Sequence, residues 1–253
     1  MTMKIKYFDI TDQGLSVKCK LYHNDQHRFS DVVISCHGFG GDKDNAATQK
    51  LAETLLPVQK EAAVLAFDWP CHGNDVKQRL DLEDCGRYLD VVLEYAREQL
   101  GAERLYAFAT SFGGYVTLKY LFEKDDPFCR VSLRCPAVNM YEILMNDILE
   151  KGQADQLRKK DALVGHDRKI RVSQKFLDQL KSNDITAWDF SAKKGNLLIL
   201  QGTKDELVSC AVVEAFAERN GIDFLPVEGA DHRFREPSKI REVLDYTMEH
   251  FFG

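Results

Sequence analysis

The chain has 253 residues, 44% of them hydrophobic and 29% charged, with 34 Lys and Arg against 40 Asp and Glu. That length is ample for a large buried core in one or two domains. The net charge of −6 argues against nucleic acid, whose phosphates are bound by clustered basic side chains, the absence of any apolar run near the roughly 18 residues of a membrane span argues against a transmembrane helix, and collagen-like, disordered and disulfide-scaffold compositions are excluded too.

In chain order, Met1 to Tyr7 lacks the apolar core of a signal segment and reads as the start of a strand. Stretches 7–10 and 15–21 flank Thr11-Asp12-Gln13-Gly14, whose Asp and Gly favour a tight turn, so an antiparallel hairpin is predicted. Short β-branched and aromatic runs follow at 31–36, 63–67, 104–109, 130–134, 196–201 and 223–227, which read as strands buried on both faces. Amphipathic stretches lie between and after them at 46–59, 84–100, 113–123, 211–220 and 237–251; in the second, Leu89, Val92, Leu93 and Ala96 recur at helical spacing. Alternation of this kind predicts an α/β fold, a mainly parallel sheet wrapped by helices. In such sheets, sites collect outside the carboxyl ends of the strands.

The region 137–195 breaks the rhythm. It shows no convincing strand, carries the basic runs Arg158-Lys159-Lys160 and Arg168-Lys169-Ile170-Arg171, and has helical patterns at 140–151 and 172–181. It reads as a helical insertion, or cap, over a core domain made of 1–136 and 196–253, its basic runs as solvated helix faces. Seven cysteines, at 19, 36, 71, 85, 129, 135 and 210, are odd in number and form no CxxC. They read as reduced, buried thiols, which points to a reducing, cytoplasmic setting. The seven histidines include no HExxH and no Cys/His cluster with zinc spacing, so no metal and no other cofactor is expected.

The strongest local signal is Ala109-Thr110-Ser111-Phe112-Gly113-Gly114, where a hydrophobic strand runs into a serine flanked by small residues and then into a helix. A sharp strand-to-helix turn exposes a nucleophile, and small residues two before and two after it let the backbones pass closely; the alternative is an ordinary helix start with Ser111 as its N-cap. Further along, Gly202-Thr203-Lys204-Asp205-Glu206 puts an acid on a loop after one strand, and Glu228-Gly229-Ala230-Asp231-His232 puts a histidine after the next. Glu206 is the nearer rival to Asp205, and Asp231, adjacent to His232, the more distant one. Upstream, His37-Gly38-Phe39-Gly40-Gly41 could present backbone N–H groups to an anion, and Asp68-Trp69-Pro70-Cys71-His72-Gly73 follows the next strand. Position 43 is Lys43, so the dinucleotide fingerprint fails, and no phosphate-loop ending is present. His37 and His72 read as loop-bracing side chains, and His250 belongs to the last helix.

In these motifs, and in the order nucleophile, acid, histidine, the sequence resembles the α/β-hydrolase superfamily, and more narrowly its capped serine esterases of the feruloyl/cinnamoyl type. The resemblance runs from the first hairpin to the last helix. It departs from the family pattern at Ala109, where glycine is usual, and at Ser209, where many relatives have proline. It implies an eight-stranded, mostly parallel twisted sheet, with Ser111 as nucleophile, His232 as general base, Asp205 as its orienting acid, and the backbone N–H groups of Phe39 and Phe112 as an oxyanion hole. It further implies a substrate pocket lined by Phe39, Trp69, Leu144 and Ile148, and cleavage of small or aromatic acyl esters through an acyl-enzyme. Peptidase, thioesterase, lipase and acyltransferase activities use the same machinery, and a hydrolase-like binding protein without catalysis is the rival of another class. The partner expected is a small-molecule ester, with no nucleic acid and no membrane; a homodimer stays open.

Overall fold

A computed structural model of the chain describes residues 3–12, 14–73, 79–165 and 169–253. Met1 and Thr2 of the opening segment, Gln13 of the hairpin turn and Arg168 of the second basic run lie outside the described residues. Strands β1 (Lys4–Asp12) and β2 (Leu15–His23) form the predicted antiparallel hairpin, with Gly14 at φ 77° where an L side chain would be strained. Then come β3 (Asp31–Cys36), helix α1 (Ala46–Leu55), β4 (Ala62–Phe67), α2 (Leu82–Glu98), β5 (Arg104–Thr110), α3 (Phe112–Glu123) and β6 (Arg130–Arg134). Within 137–195 lie α4 (Met140–Ile143) running into a π turn (Leu144–Ile148), α5 (Gln153–Leu157), β7 (Ala162–Val164), β8 (Ile170–Val172), α6 (Gln174–Ser182) and two 3₁₀ turns. The chain finishes with β9 (Leu197–Gly202), α7 (Cys210–Asn220), β10 (Asp223–Val227) and α8 (Pro237–Phe252).

Eight strands make one sheet in the order β1-β2-β4-β3-β5-β6-β9-β10. The first two are antiparallel to their neighbours, and all pairs from β4 to β10 are parallel. Alternation within the central strands assigns side chains to two cores. Val33, Val64, Tyr106 and Phe108 face α1 and α8, whereas Val32, Ile34, Leu105 and Ala107 face α2, α3 and α7. The connections after β3 and β5 therefore leave adjacent parallel strands toward opposite faces. Such a divergence opens a crevice at the strand ends, and every motif singled out above follows a strand that ends there.

Helix ends follow local chemistry. Asn45 caps α1 by accepting the Thr48 N–H at 2.9 Å, and Asp81 caps α2 by accepting the Glu83 N–H at 3.0 Å. Pro237 opens α8, where its missing N–H costs nothing.

Two expectations need correction. The 137–195 segment does contain strands: β7 and β8 pair antiparallel as a small separate ribbon. Each is only three residues long, too short for its periodicity to be read. Strand β10 is not buried on both faces. It is the sheet edge and is half exposed, with Pro226 in its interior, and an edge tolerates the missing N–H. The segment is also joined to the sheet domain by hydrogen bonds. Ala137 N–H donates to Ser111 C=O at 3.1 Å, Leu80 N–H to Arg171 C=O at 3.0 Å, and Leu82 N–H to the Gln179 side chain at 3.1 Å. All seven cysteines are free, and five are buried; Cys129 is exposed.

Candidate active site

Ser111 sits between β5 and α3 at φ 52°, ψ −117°, a conformation that costs a non-glycine residue on the order of 1–3 kcal/mol. Three backbone hydrogen bonds hold it there: its N–H to Arg134 C=O at 3.0 Å, and its C=O from the N–H groups of Tyr115 at 3.0 Å and Ala137 at 3.1 Å. Close packing requires the neighbouring glycines. A Cβ on Gly113 would lie 2.4 Å from the Cys36 carbonyl oxygen, and one on Gly38 would lie 3.2 Å from the Ser111 Cβ. Ala109, in the place of the usual glycine, is fully buried at the end of β5 and leaves the turn intact. Ser111 makes no side-chain cap bond to the helix, so the ordinary N-cap alternative fails.

The Ser111 hydroxyl lies 3.1 Å from Nε2 of His232, whose Nδ1 lies 2.8 Å from Oδ2 of Asp205. Asp205 is fixed from several sides. Its Oδ1 accepts the N–H groups of Leu207 at 2.9 Å and Val208 at 2.8 Å, and its Oδ2 also accepts from the Gln201 amide at 3.0 Å. Burial alone would raise its pKa, but the hydrogen bond and charge of His232, with the bonds from Cys135 and Val208, outweigh it and hold the carboxyl below its ordinary value. An ionised Asp205 accepts from Nδ1–H, which leaves Nε2 as an acceptor toward Ser111. The two rival acids are engaged elsewhere. Glu206 accepts the backbone N–H of His232 at 3.1 Å, and Asp231 accepts from the Arg235 guanidinium at 2.6 Å.

The loop after β3 lies over Ser111. Gly41 N–H closes a turn onto Gly38 C=O at 3.0 Å, with Gly40 at φ 73°. His37 fastens this loop to the next: its Nε2 accepts the Trp69 N–H at 3.2 Å, and its carbonyl accepts the Trp69 indole N–H at 2.8 Å. Behind it, Lys43 and Asp68 form a buried ion pair at 2.9 Å. His72 Nδ1–H donates to Pro70 C=O at 2.9 Å; the ring is fully buried, and burial pushes its pKa down to about 3. His37 and His72 thus brace loops, and His250 lies on α8 against the Asn196 carbonyl at 3.2 Å. Among the described residues, no acceptor takes the backbone N–H of Phe39 or of Phe112, so both donors are available beside Ser111.

A cavity of about 620 Å³ opens over the serine, in the range of small-molecule sites. Phe39 and Ile148 line it, with Met140 and Ile143 from α4. Trp69 and Leu144 do not. Both are fully buried, Trp69 against Phe67 and Phe112, and Leu144 on the inward side of its π turn. Volume and packing place such side chains in the core, and loop position alone does not reveal that. Sequence reasoning missed Arg134, which lines the same cavity; as the last residue of β6, it carried only a strand signal. Cys135, Asp205 and His232 offer ligand-type atoms within 4.8 Å of one another. Burial raises the Cys135 thiol well above its ordinary value, so the thiol keeps its proton and donates a hydrogen bond to Asp205.

Comparisons with known proteins agree with this architecture. The family described as alpha/beta hydrolase fold matches residues 31–176. The chain is similar to the solved structure of Est1E from Butyrivibrio proteoclasticus, at 18% identity and a TM-score of 0.75, over 96% of this chain and 98% of that one; the ferulic acid-bound form gives 17% and 0.77 over the same shares. The esterase domain from a Rhodothermus marinus protein is similar at 17% identity and a TM-score of 0.67, over 98% of this chain and 96% of that one. Among curated proteins, dipeptidyl peptidase family member 1 of Caenorhabditis elegans is 30% identical over 140 residues, 49% of this chain and 17% of that protein. The chain thus spans a small fraction of that relative's length. No helix among the described residues is long and apolar enough to cross a membrane.

Proposed function

We propose, from the premise that this chain belongs to the alpha/beta hydrolase fold family, that it is a serine hydrolase cleaving carboxylic esters of small or aromatic acyl groups. The observation that carries the reading is the continuous chain from the Ser111 hydroxyl through His232 to Asp205, at 3.1 and 2.8 Å. Nε2 of His232 takes the hydroxyl proton as Ser111 Oγ bonds to the ester carbonyl carbon. Asp205 holds the tautomer and stabilises the imidazolium. The oxygen that becomes negative is met by the N–H groups of Phe39 and Phe112, and one such donor is worth about 10²–10³-fold in turnover. The imidazolium returns its proton to the leaving alcohol. Water, deprotonated by the same nitrogen, then attacks the acyl-enzyme and frees the acid. The 137–195 segment acts as the cap, with Ile148 and Phe39 shaping the acyl side.

Ser111→Ala tests this directly. Hydrolysis of a p-nitrophenyl ester should fall by on the order of 10⁴-fold or more while the circular dichroism spectrum is unchanged. Retained turnover, or failure of the wild-type serine to take a fluorophosphonate label, refutes the assignment. The similarity to a dipeptidyl peptidase over 140 residues favours a second reading, peptide hydrolysis on the same serine. A matched panel of ester, thioester and peptide substrates separates the two, with esters expected to give the highest kcat/KM.

A further inference from the structure

Arg134 holds a position that the hydrolase chemistry does not use. Its carbonyl fixes Ser111, and its side chain lines the cavity beside Ser111 and His232 while only 7% of the residue is exposed. A guanidinium offers five N–H donors. Here Nε reaches the Thr110 hydroxyl at 3.3 Å and one Nη reaches the Arg233 carbonyl at 3.3 Å, both long bonds to neutral acceptors. The ring of Phe234 lies 5.2 Å from the guanidinium carbon. Among the described residues, no carboxylate forms an ion pair with it. The nearest acids are committed, Asp205 to His232 and Asp231 to Arg235. Burial disfavours its charge and lowers its pKa, against the weaker favourable fields of Cys135, Asp205 and Asp231, yet an arginine stays protonated at neutral pH.

A buried cation without a counter-ion is unfavourable unless something compensates it. At a cavity wall, the compensating group can arrive with the ligand. We propose that Arg134 recognises a carboxylate on the substrate, so that the preferred substrates of this site are esters whose chain carries a free carboxylate. A guanidinium can bind a carboxylate through two parallel hydrogen bonds. The inference rests on the hydrolase reading for its substrate class but not for the anion contact itself.

The test compares two 4-nitrophenyl esters of equal chain length, mono-4-nitrophenyl adipate and 4-nitrophenyl hexanoate. Wild-type protein should favour the carboxylate-bearing ester by at least tenfold in kcat/KM, chiefly through KM. Arg134→Met should lower that ratio at least tenfold, and Arg134→Lys should retain part of it. A wild-type ratio of one or less, or a ratio unchanged by Arg134→Met, overturns the proposal while leaving the hydrolase reading standing. If neither ester is turned over, the hydrolase reading fails, and a binding measurement still decides the role of Arg134. Calorimetric titration of Ser111→Ala protein should show monomethyl adipate binding at least tenfold more tightly than dimethyl adipate, a difference lost when Arg134→Met is added. Equal binding of the two overturns the proposal.

Discussion

The carboxyl edge of the main sheet and the 137–195 segment face each other across one cavity, but they are held in place differently. At the sheet edge, Ser111, Asp205 and His232 each follow a strand of five to seven residues in fixed parallel register with its neighbour. Their polar atoms are almost all committed to named partners. Across the cavity stand a four-residue helix, a five-residue π turn, a five-residue helix and two three-residue strands. None of these is long enough to be stable alone. Each takes its shape from burial of a few apolar anchors, such as Leu144, Leu157 and Val164. On the proposed function, the reacting groups that must stay within a fraction of an ångström sit on the first kind of structure, and the wall that shapes what enters is made of the second.

If this contrast is correct, changes at the sheet edge should cost orders of magnitude in rate, and changes in the wall should cost far less. Asp205→Asn is the severe case: the amide can select the wrong imidazole tautomer, and kcat for an ester should drop by about 10⁴-fold with little change in KM. A loss below tenfold would show that His232 is oriented by something else. Stability offers an intermediate effect. The pKa of His72 falls from 6.5 to about 3 on folding, so the unfolded chain binds its proton first. Its contribution is complete above pH 6.5 and is lost as pH falls toward 3. His250, also lowered mainly by burial, acts in the same sense. The urea-unfolding free energy should therefore drop by roughly 1–2 kcal/mol from His72 alone between pH 6.5 and 5, and His72→Gln should flatten that slope. Least costly is Ile148→Ala in the wall. It should shift the acyl-chain length giving the best KM while altering kcat less than tenfold; a loss comparable to that of Asp205→Asn would erase the contrast.

What could be read from the chain follows the same division. Within the runs 31–36 and 104–109, positions 32–34 and 105–109 are apolar throughout because both faces of those strands are covered, so composition locates them. Ser111, Asp205 and His232 then follow from where such strands end and from their order. The β7–β8 ribbon could not be read, because three residues carry no period and Ala162–Val164 borders a charged stretch. Trp69 and Leu144 were misplaced for another reason. Whether a large apolar side chain faces a cavity or the core depends on its rotation, set by packing neighbours, which for Trp69 include Phe67 and Phe112. Arg134 was invisible because an arginine at a strand end is ordinarily a solvated terminus, and only tertiary packing buries it.

The bonds that tie Leu80 to Arg171 and Leu82 to Gln179 have a mechanical consequence. A flap secured along one margin turns as a page does. The 137–195 segment is sewn along a second seam, well away from its root at Ala137, so swinging out as a rigid leaf would break these bonds. Flexing between the two seams, in the stretch from α4 to α5 that carries Ile143 and Ile148, would widen the mouth without breaking either.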